Sequence, residues 1–345
     1  MQECPVCGSR IVRTEVPADL VRSEIRMRSD FVFSRVPRNA PREELKDLTD
    51  FMHGFAAPLV SCATCGTLLR DEQDTRQAHD YQEDPNDTDL MRQVLPRYVT
   101  AFRNKRVAYE PLIRQHADVL ELGSHLGAFL QVAEEWNWQP VALDVGRDTA
   151  AFARANGFKV RQELVEQSGL PTRAFDAVFI WNCFDQIPHP EATLAGVYRV
   201  LKPNGLLIIR VPNAVFYRAL RNRLQSRFAL RALAYNNLLG FPYLYGYTAE
   251  SLNHLLLRRG FQELSAYNSE LVTMPFADPT TKIATEQAKV SAAVARWSTK
   301  TTAATGHLTG PWIELVYRKM TEADWKRTAA PAKPKIDLRF LERAA

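Results

Sequence analysis

The sequence predicts an α/β protein: a doubly wound, mostly parallel Rossmann-like sheet with a small zinc-ribbon-like domain at its N-terminus. Three observations lead there. Short apolar strands alternate with helical segments from about residue 117, the glycine-bearing turn "ELGSHLG" joins the first of those strands to a helix, and two CxxCG knuckles stand near the beginning of the chain. Strands that alternate with helices build a parallel sheet, because each parallel pairing needs a crossover. The chain has 345 residues, 46% apolar and 24% charged, enough for one large domain and an appendage. The net charge of +5 is mild and does not demand a polyanionic partner. The longest apolar run of a strand, "GLLIIRV", is too short to span a bilayer, and "MQECPVCG" does not read as a leader, so a cytoplasmic location is expected.

The element predictions run in chain order. Cys4 with Cys7 and Cys62 with Cys65 have metal-ligand spacing, and Gly8 and Gly66 permit the tight turns that aim backbone N–H groups at thiolate sulfur. Together the four thiols predict a tetrahedral structural zinc site, whereas a catalytic CxxC opens a helix and disulfides belong to exported chains. Residues 8–61 separate the knuckles, several times the roughly 15 to 20 of a compact ribbon. The segment between them contains a helical pattern (Leu45, Leu48, Phe51, Met52), and His53 there reads as an ordinary helix-end residue. The polar stretch 67–90 reads as a linker, followed by helical spacing up to His116. Strands are expected near 118–122, 140–144, 158–161, 175–181 and 205–211, with helices at 127–136, 148–156 and 190–202 between them.

In "ELGSHLG", Gly123 makes the turn after the strand and Gly127 opens the helix where a side chain would crowd the sheet. Glu121 at the strand end would repel a diphosphate and suits a ligand that carries positive charge and an ammonium group, as S-adenosylmethionine does. Asp144 follows about 20 residues later, at the end of the second strand, where an acid can accept from ribose hydroxyls.

From about 118 to 268 the sequence resembles the class I S-adenosylmethionine-dependent methyltransferases. The residues that carry the likeness are "VLELGSHLG", "ALD", "FDAVFIWNCFDQIPHPEATLAGVYRVLKPNGLLIIRVPN" and "YGYTAESLNHLLLRRGF". The resemblance implies a seven-stranded sheet. It places Glu121, Gly123 and Gly127 at the methionine end of the cofactor, Asp144 and Val145 at the ribose, Glu163 or Leu164 near the adenine, and Asn182 with Cys183 at the rim facing the sulfonium. His125 stands where relatives commonly have glycine, and the family's acidic-His-x-Pro is replaced by Asp185, Gln186, Ile187, Pro188 and His189. Candidate catalytic groups are therefore Asp185, His189 and His125, with Tyr243, Tyr245 or Tyr247 as positioning groups. An N-terminal CxxCG pair ahead of such a domain is similar to a subgroup that acts on sugars and other small metabolites.

The domains expected are a zinc-ribbon-like module over 1–80, a helical linker over 81–116, the methyltransferase domain over 117–320 and a flexible tail over 321–345. Acceptor specificity falls to the insert 213–247, in which Arg218, Arg221, Arg223, Arg227 and Arg231 with Leu220, Leu224 and Phe228 predict one basic amphipathic helix. A second insertion, 270–311, is expected to contain a helix and to serve as a lid or a homodimer surface, ahead of a last strand "PWIELVYRK". The reading favoured is methyl transfer to a small-molecule acceptor, a sugar or secondary-metabolite hydroxyl. The alternatives are an RNA methyltransferase that grips its substrate with the zinc module, against which stands the absence of a strong basic run there, and a noncatalytic scaffold.

Overall fold

The computed structural model describes residues 3–10, 12–34, 57–70, 88–236, 238–241, 243–270 and 282–328. The helical pattern around Leu45 to Met52, His53, and most of the expected 67–90 linker lie outside the described residues.

Two sheets organise the chain. The larger has seven strands: β4 (Asp118–Leu122), β5 (Gln139–Leu143), β6 (Val160–Arg161), β7 (Phe175–Trp181), β8 (Leu201–Pro212), β10 (Phe261–Ser269) and β11 (Trp312–Lys319). Their order is β10-β11-β8-β7-β4-β5-β6. The five strands from β6 to β8 run parallel, while β11 pairs antiparallel with β8 and β10 antiparallel with β11. The order reverses at β4, whose neighbours β5 and β7 leave a crevice at their carboxyl ends, which is where ligands bind in open α/β sheets.

Helices cover both faces. In the first crossover α4 (Ala128–Glu135) follows β4, α5 (Arg147–Ala155) follows β5, and α6 (Pro190–Val200) leads into β8. The parallel strands read as near-continuous apolar runs, "DVLEL" and "FDAVFIW", because both of their faces are buried. Upstream, α2 (Thr88–Arg103) and α3 (Arg106–Tyr109) do more than link: Val99, Phe102 and Tyr109 pack with Phe129, Phe179 and Trp181 on one face of the sheet.

The smaller sheet is built from β1 (Val12–Val16), β2 (Leu59–Cys62), β3 (Leu68–Arg70) and β9 (Tyr245–Gly246), in the order β1-β2-β3-β9. Its fourth strand thus comes from the insert after β8. Helix α1 (Ala18–Phe33) packs through Val21, Ile25 and Phe31 into a core shared with that insert. This joins the cysteine-bearing segment to the larger domain across a long sequence separation.

The insert itself departs from expectation. In place of one basic helix over 218–231 there are two, α7 (Ala214–Arg221) and α8 (Arg227–Tyr235), separated by an exposed turn. Asn213 caps α7 by accepting from the Val215 N–H at 3.0 Å. Three of the arginines are used as ties: Arg218 to Glu15 at 2.8 Å, Arg221 to Glu24 at 2.9 Å and Arg231 to Glu286 at 2.8 Å. The four-residue spacing predicts one amphipathic face, but its cations meet acids that only the tertiary fold brings near. The second insertion contains α10 (Lys282–Thr305), longer than the helical stretch anticipated there. After α9 (Ala249–Arg258) and the β10–β11 pair, α11 (Glu322–Thr328) lies where a flexible tail was expected. Trp325 of this helix meets the Tyr198 ring at 5.2 Å. Among the described residues, no helix is long and apolar enough to cross a membrane.

Candidate active site and metal centre

The four cysteine sulfurs lie within 4.8 Å of one another, all buried. Cys4 and Cys65 Sγ are 3.6 Å apart, as are Cys7 and Cys62 Sγ. Four thiolates around zinc at about 2.3 Å would stand about 3.8 Å apart in a tetrahedron, whereas a disulfide needs about 2.05 Å. The two knuckles are built alike. The Gly8 N–H donates to the Cys4 carbonyl at 2.7 Å and the Gly66 N–H to the Cys62 carbonyl at 2.8 Å, both glycines having left-handed φ. The donor set and its spacing fit a closed structural zinc site with no open coordination position.

The candidate cofactor residues gather at the carboxyl ends of β4, β5 and β7. Glu121 is 2% exposed, and among the described residues its Oε2 has no hydrogen-bond partner. Burial, and then the neighbouring Asp144 charge, holds its carboxyl well above the usual range. Such an orphaned carboxylate asks for a cationic donor, and an ammonium group fits it. The Asp144 carboxylate is oriented by its own loop: Oδ2 accepts from the His125 N–H at 2.6 Å, and Oδ1 from the Gly146 N–H at 2.8 Å and the Thr149 hydroxyl at 3.2 Å. A carboxylate offers about four lone-pair sites, which leaves capacity for a ribose hydroxyl. Val145 beside it is exposed. Glu163 is engaged with Arg161 at 2.5 Å, and Leu164 is half-buried.

Gly127 begins α4 with φ of 81°, and a Cβ there would stand 2.6 Å from the Phe158 ring. Close packing of helix on strand is thus the reason for glycine at this position. His125 also has a positive φ, 48°, which explains why glycine suits the position; its exposed side chain turns to the edge of the Tyr98 ring, 5.9 Å away.

Cys183 lies against Gly123 and donates to the Leu122 carbonyl at 3.3 Å. Burial, with the charges of Asp185, Asp144 and Glu121, keeps its thiol protonated well above the ordinary range, so it is no nucleophile. One sulfur therefore feels the carboxylates of three strand ends. Three acidic side chains thus converge on one crevice, and a cationic ligand there would favour their ionised forms. Asn182 adopts a left-handed φ of 59°, and its side-chain oxygen accepts from Arg210.

Of the three candidate catalytic residues, only Asp185 is inside. It lies in the turn after β7 with 0% exposure, neither carboxylate oxygen meets another described residue in a hydrogen bond, and burial, opposed more weakly by its own backbone N–H and by Arg210, pushes its carboxyl up to about 8. His189 is exposed at the start of α6. Among the tyrosines, Tyr247 is buried, its hydroxyl without a partner among the described residues, and tilts against Phe184, while the Tyr245 hydroxyl donates to the Pro188 carbonyl at 2.8 Å.

Two residues absent from the sequence reading complete the region. Arg210 on β8 and Glu314 on β11 are paired in register, between Trp181 on β7 and Tyr267 on β10. Lys105, from the turn between α2 and α3, reaches Glu314. The Ser269 hydroxyl donates to Glu314 at 2.7 Å, and the Tyr267 hydroxyl donates to it as well. The signal was present: a lone arginine in "LLIIRVPN" and a lone glutamate in "WIELVYR" are charges inside strands buried on both faces.

The family described as "Methyltransferase domain" matches residues 91–266. The chain belongs to the S-adenosylmethionine-dependent methyltransferases. It is 29% identical over 106 residues to C-methyltransferase NovU of Streptomyces niveus, a match that covers 28% of this chain and 24% of that protein. It is 25% identical over 169 residues to a probable S-adenosylmethionine-dependent methyltransferase of Mycolicibacterium smegmatis, covering 48% of this chain and 66% of the relative. The chain thus spans under two thirds of each relative's length. Among solved structures, a SAM dependent methyltransferase from Archaeoglobus fulgidus is 18% identical with a TM-score of 0.43, covering 64% of this chain and 94% of its own.

Proposed function

We propose that this protein transfers a methyl group from S-adenosylmethionine to a small-molecule acceptor, with Asp185 as the group that takes the acceptor's proton. The observation that carries the reading is the Asp185 carboxyl: it is fully buried in the turn after β7, both of its oxygens lack a partner among the other described residues, and it shares the crevice with Asp144 and Glu121. When bound, S-adenosylmethionine supplies an electrophilic methyl on a sulfonium centre. Glu121 receives its ammonium group, Asp144 its ribose hydroxyls, and Cys183 and Asn182 border the sulfonium. The rate advantage comes mainly from alignment of nucleophile and methyl, which can supply roughly 7 to 11 kcal/mol at best. Asp185 adds proton transfer, worth about 10²–10⁴-fold in such roles. His125 and His189, at the surface, have no part in this scheme.

The acceptors we favour are sugar or secondary-metabolite hydroxyls. Similarity to a C-methyltransferase favours a second reading, transfer to carbon, in which Asp185 removes a proton from a carbon acid. RNA is disfavoured because Arg218, Arg221 and Arg231 are already paired with acids. The four cysteines would bind zinc as a structural brace, close to the acceptor side through β9.

Calorimetric titration with S-adenosylmethionine and S-adenosylhomocysteine, beside Asp144→Ala, tests the cofactor site; the variant should bind at least tenfold more weakly. Uptake of labelled methyl by nucleotide sugars, small metabolites or RNA then tests the acceptor class. Binding of neither ligand by folded protein, or methylation of RNA alone, would overturn the proposal.

A further inference from the structure

The Arg210 guanidinium is 1% exposed and fixed on three sides. Its Nε donates to the Ser269 hydroxyl at 3.0 Å, its Nη1 to the Asn182 side-chain oxygen, and its face lies 4.2 Å from the Trp312 ring. None of these partners is an anion. The acid beside it in register, Glu314, is taken by Lys105, Ser269 and Tyr267. Among the described residues, no carboxylate stands within ion-pairing distance of Arg210, and its Nη2 is buried with no acceptor. The indole Nε1 groups of Trp181, adjacent in register, and of Trp312 are likewise buried without partners. Among the described residues, three neighbouring N–H groups are thus left without an oxygen, and the acid whose charge acts on the guanidinium, Asp185, does not bond to it; a folded protein tolerates this where a ligand supplies the oxygen.

Resting on the methyl-transfer reading, we propose that Arg210 binds the acceptor oxygen on which negative charge develops, and that acceptors are compounds whose conjugate base is a delocalised oxyanion, an enolate or a phenolate. Asp185 takes the proton from the acceptor's O–H or C–H. The freed electron pair, delocalised onto the oxygen that faces Arg210, forms the new bond to the methyl carbon from oxygen or carbon. The carbon–sulfur bond breaks with its pair left on sulfur, S-adenosylhomocysteine departs uncharged, and the proton passes from Asp185 to water. Negative charge moves from Asp185 to the acceptor within reach of one fixed guanidinium, so no protein dipole need reorient during reaction. The weak basicity of Asp185 also matches acidic acceptors better than simple alcohols.

The probe is 4-nitrophenol, whose neutral and ionised forms absorb at different wavelengths, titrated into protein saturated with S-adenosylhomocysteine. The wild type should bind the ionised form. Arg210→Gln should bind it at least tenfold more weakly at unchanged S-adenosylhomocysteine affinity, and Arg210→Lys should recover part of the loss. If Arg210→Gln does not fold, the wild type alone decides: bound 4-nitrophenol must ionise at lower pH than free, and ionisation at the same or higher pH overturns the proposal. Oxalate, planar and enolate-shaped, should displace the probe if enolates are the acceptors, and should fail to if phenols are. Equal displacement by cyclohexanol overturns the preference for oxyanions. Loss of S-adenosylhomocysteine binding in the wild type would refute the methyl-transfer reading itself, whereas intact binding with no capture of the phenolate refutes only the role of Arg210.

Discussion

Asp185→Asn should make the protein's stability less sensitive to pH, and the size follows from burial. The wild-type carboxyl is shut off from solvent, has no hydrogen-bond partner among the other described residues, and is pushed up to about 8 in the folded chain by burial. In the unfolded chain it titrates near the ordinary aspartate value of about 4. Between those values the folded state holds a proton that the unfolded state has lost, so stability falls as pH rises through the window from about 4 to about 8. The full displacement corresponds to roughly 5 kcal/mol at most, at 1.36 kcal/mol per decade. Asparagine has nearly the same shape and no titration there. Its amide adds a constant cost of about 1–3 kcal/mol if left unpaired. Denaturant unfolding of ligand-free protein at pH 5, 7 and 9, followed by tryptophan fluorescence, should show the variant gaining on the wild type by several kcal/mol from the lowest pH to the highest. A wild-type-to-variant difference that stays within about 1 kcal/mol across that range would refute the buried, unpaired carboxyl. In turnover, wild-type methyl transfer should rise with pH up to a plateau above about 8, and the variant should lose about 10²-fold or more.

Three other outcomes are expected. Gly127→Ala introduces both a left-handed alanine and a Cβ 2.6 Å from the Phe158 ring, so unfolding experiments should register a loss of about 2–4 kcal/mol together with weaker S-adenosylhomocysteine binding; a loss under about 0.5 kcal/mol would contradict the packing argument. Elemental analysis should find one zinc per chain, lost in Cys4→Ser and in Cys65→Ser, and unchanged metal in both variants would remove the four-thiolate assignment. Lys105→Met strips Glu314 of its cation in a buried site and should cost about 3–5 kcal/mol, much of it recovered when Glu314→Gln is added; strict additivity in that double-mutant cycle would mean that the pair does not interact.

Local rules made much of this molecule readable before its fold was known. Apolar strands bounded by turns, "DVLEL" and "FDAVFIW" among them, mark a parallel sheet because both faces need apolar cover. The CxxCG knuckles and Gly127 are likewise legible, since turn geometry and close approach are properties of a few consecutive residues. The likeness to methyltransferases could be seen in "ELGSHLG" and "RVLKPNGLLIIRVPN" for the same reason.

What the sequence could not yield depends on partners distant along the chain. Arg218, Arg221 and Arg231 read as a basic stripe, yet they meet Glu15, Glu24 and Glu286 because β1, α1 and α10 fold against the insert. The N-terminal sheet takes its last strand from Tyr245–Gly246, a pairing of backbone edges that no side-chain pattern announces. His125, His189 and Asp185 were equal candidates in the sequence; burial separated them, leaving two at the surface and one carboxyl without a partner inside. A charge's environment is set by everything packed around it. Periodicity and spacing therefore determined the sheet, the knuckles and the glycine turn after β4, and only the tertiary structure decided which charges, among the described residues, stand unpaired at the strand ends.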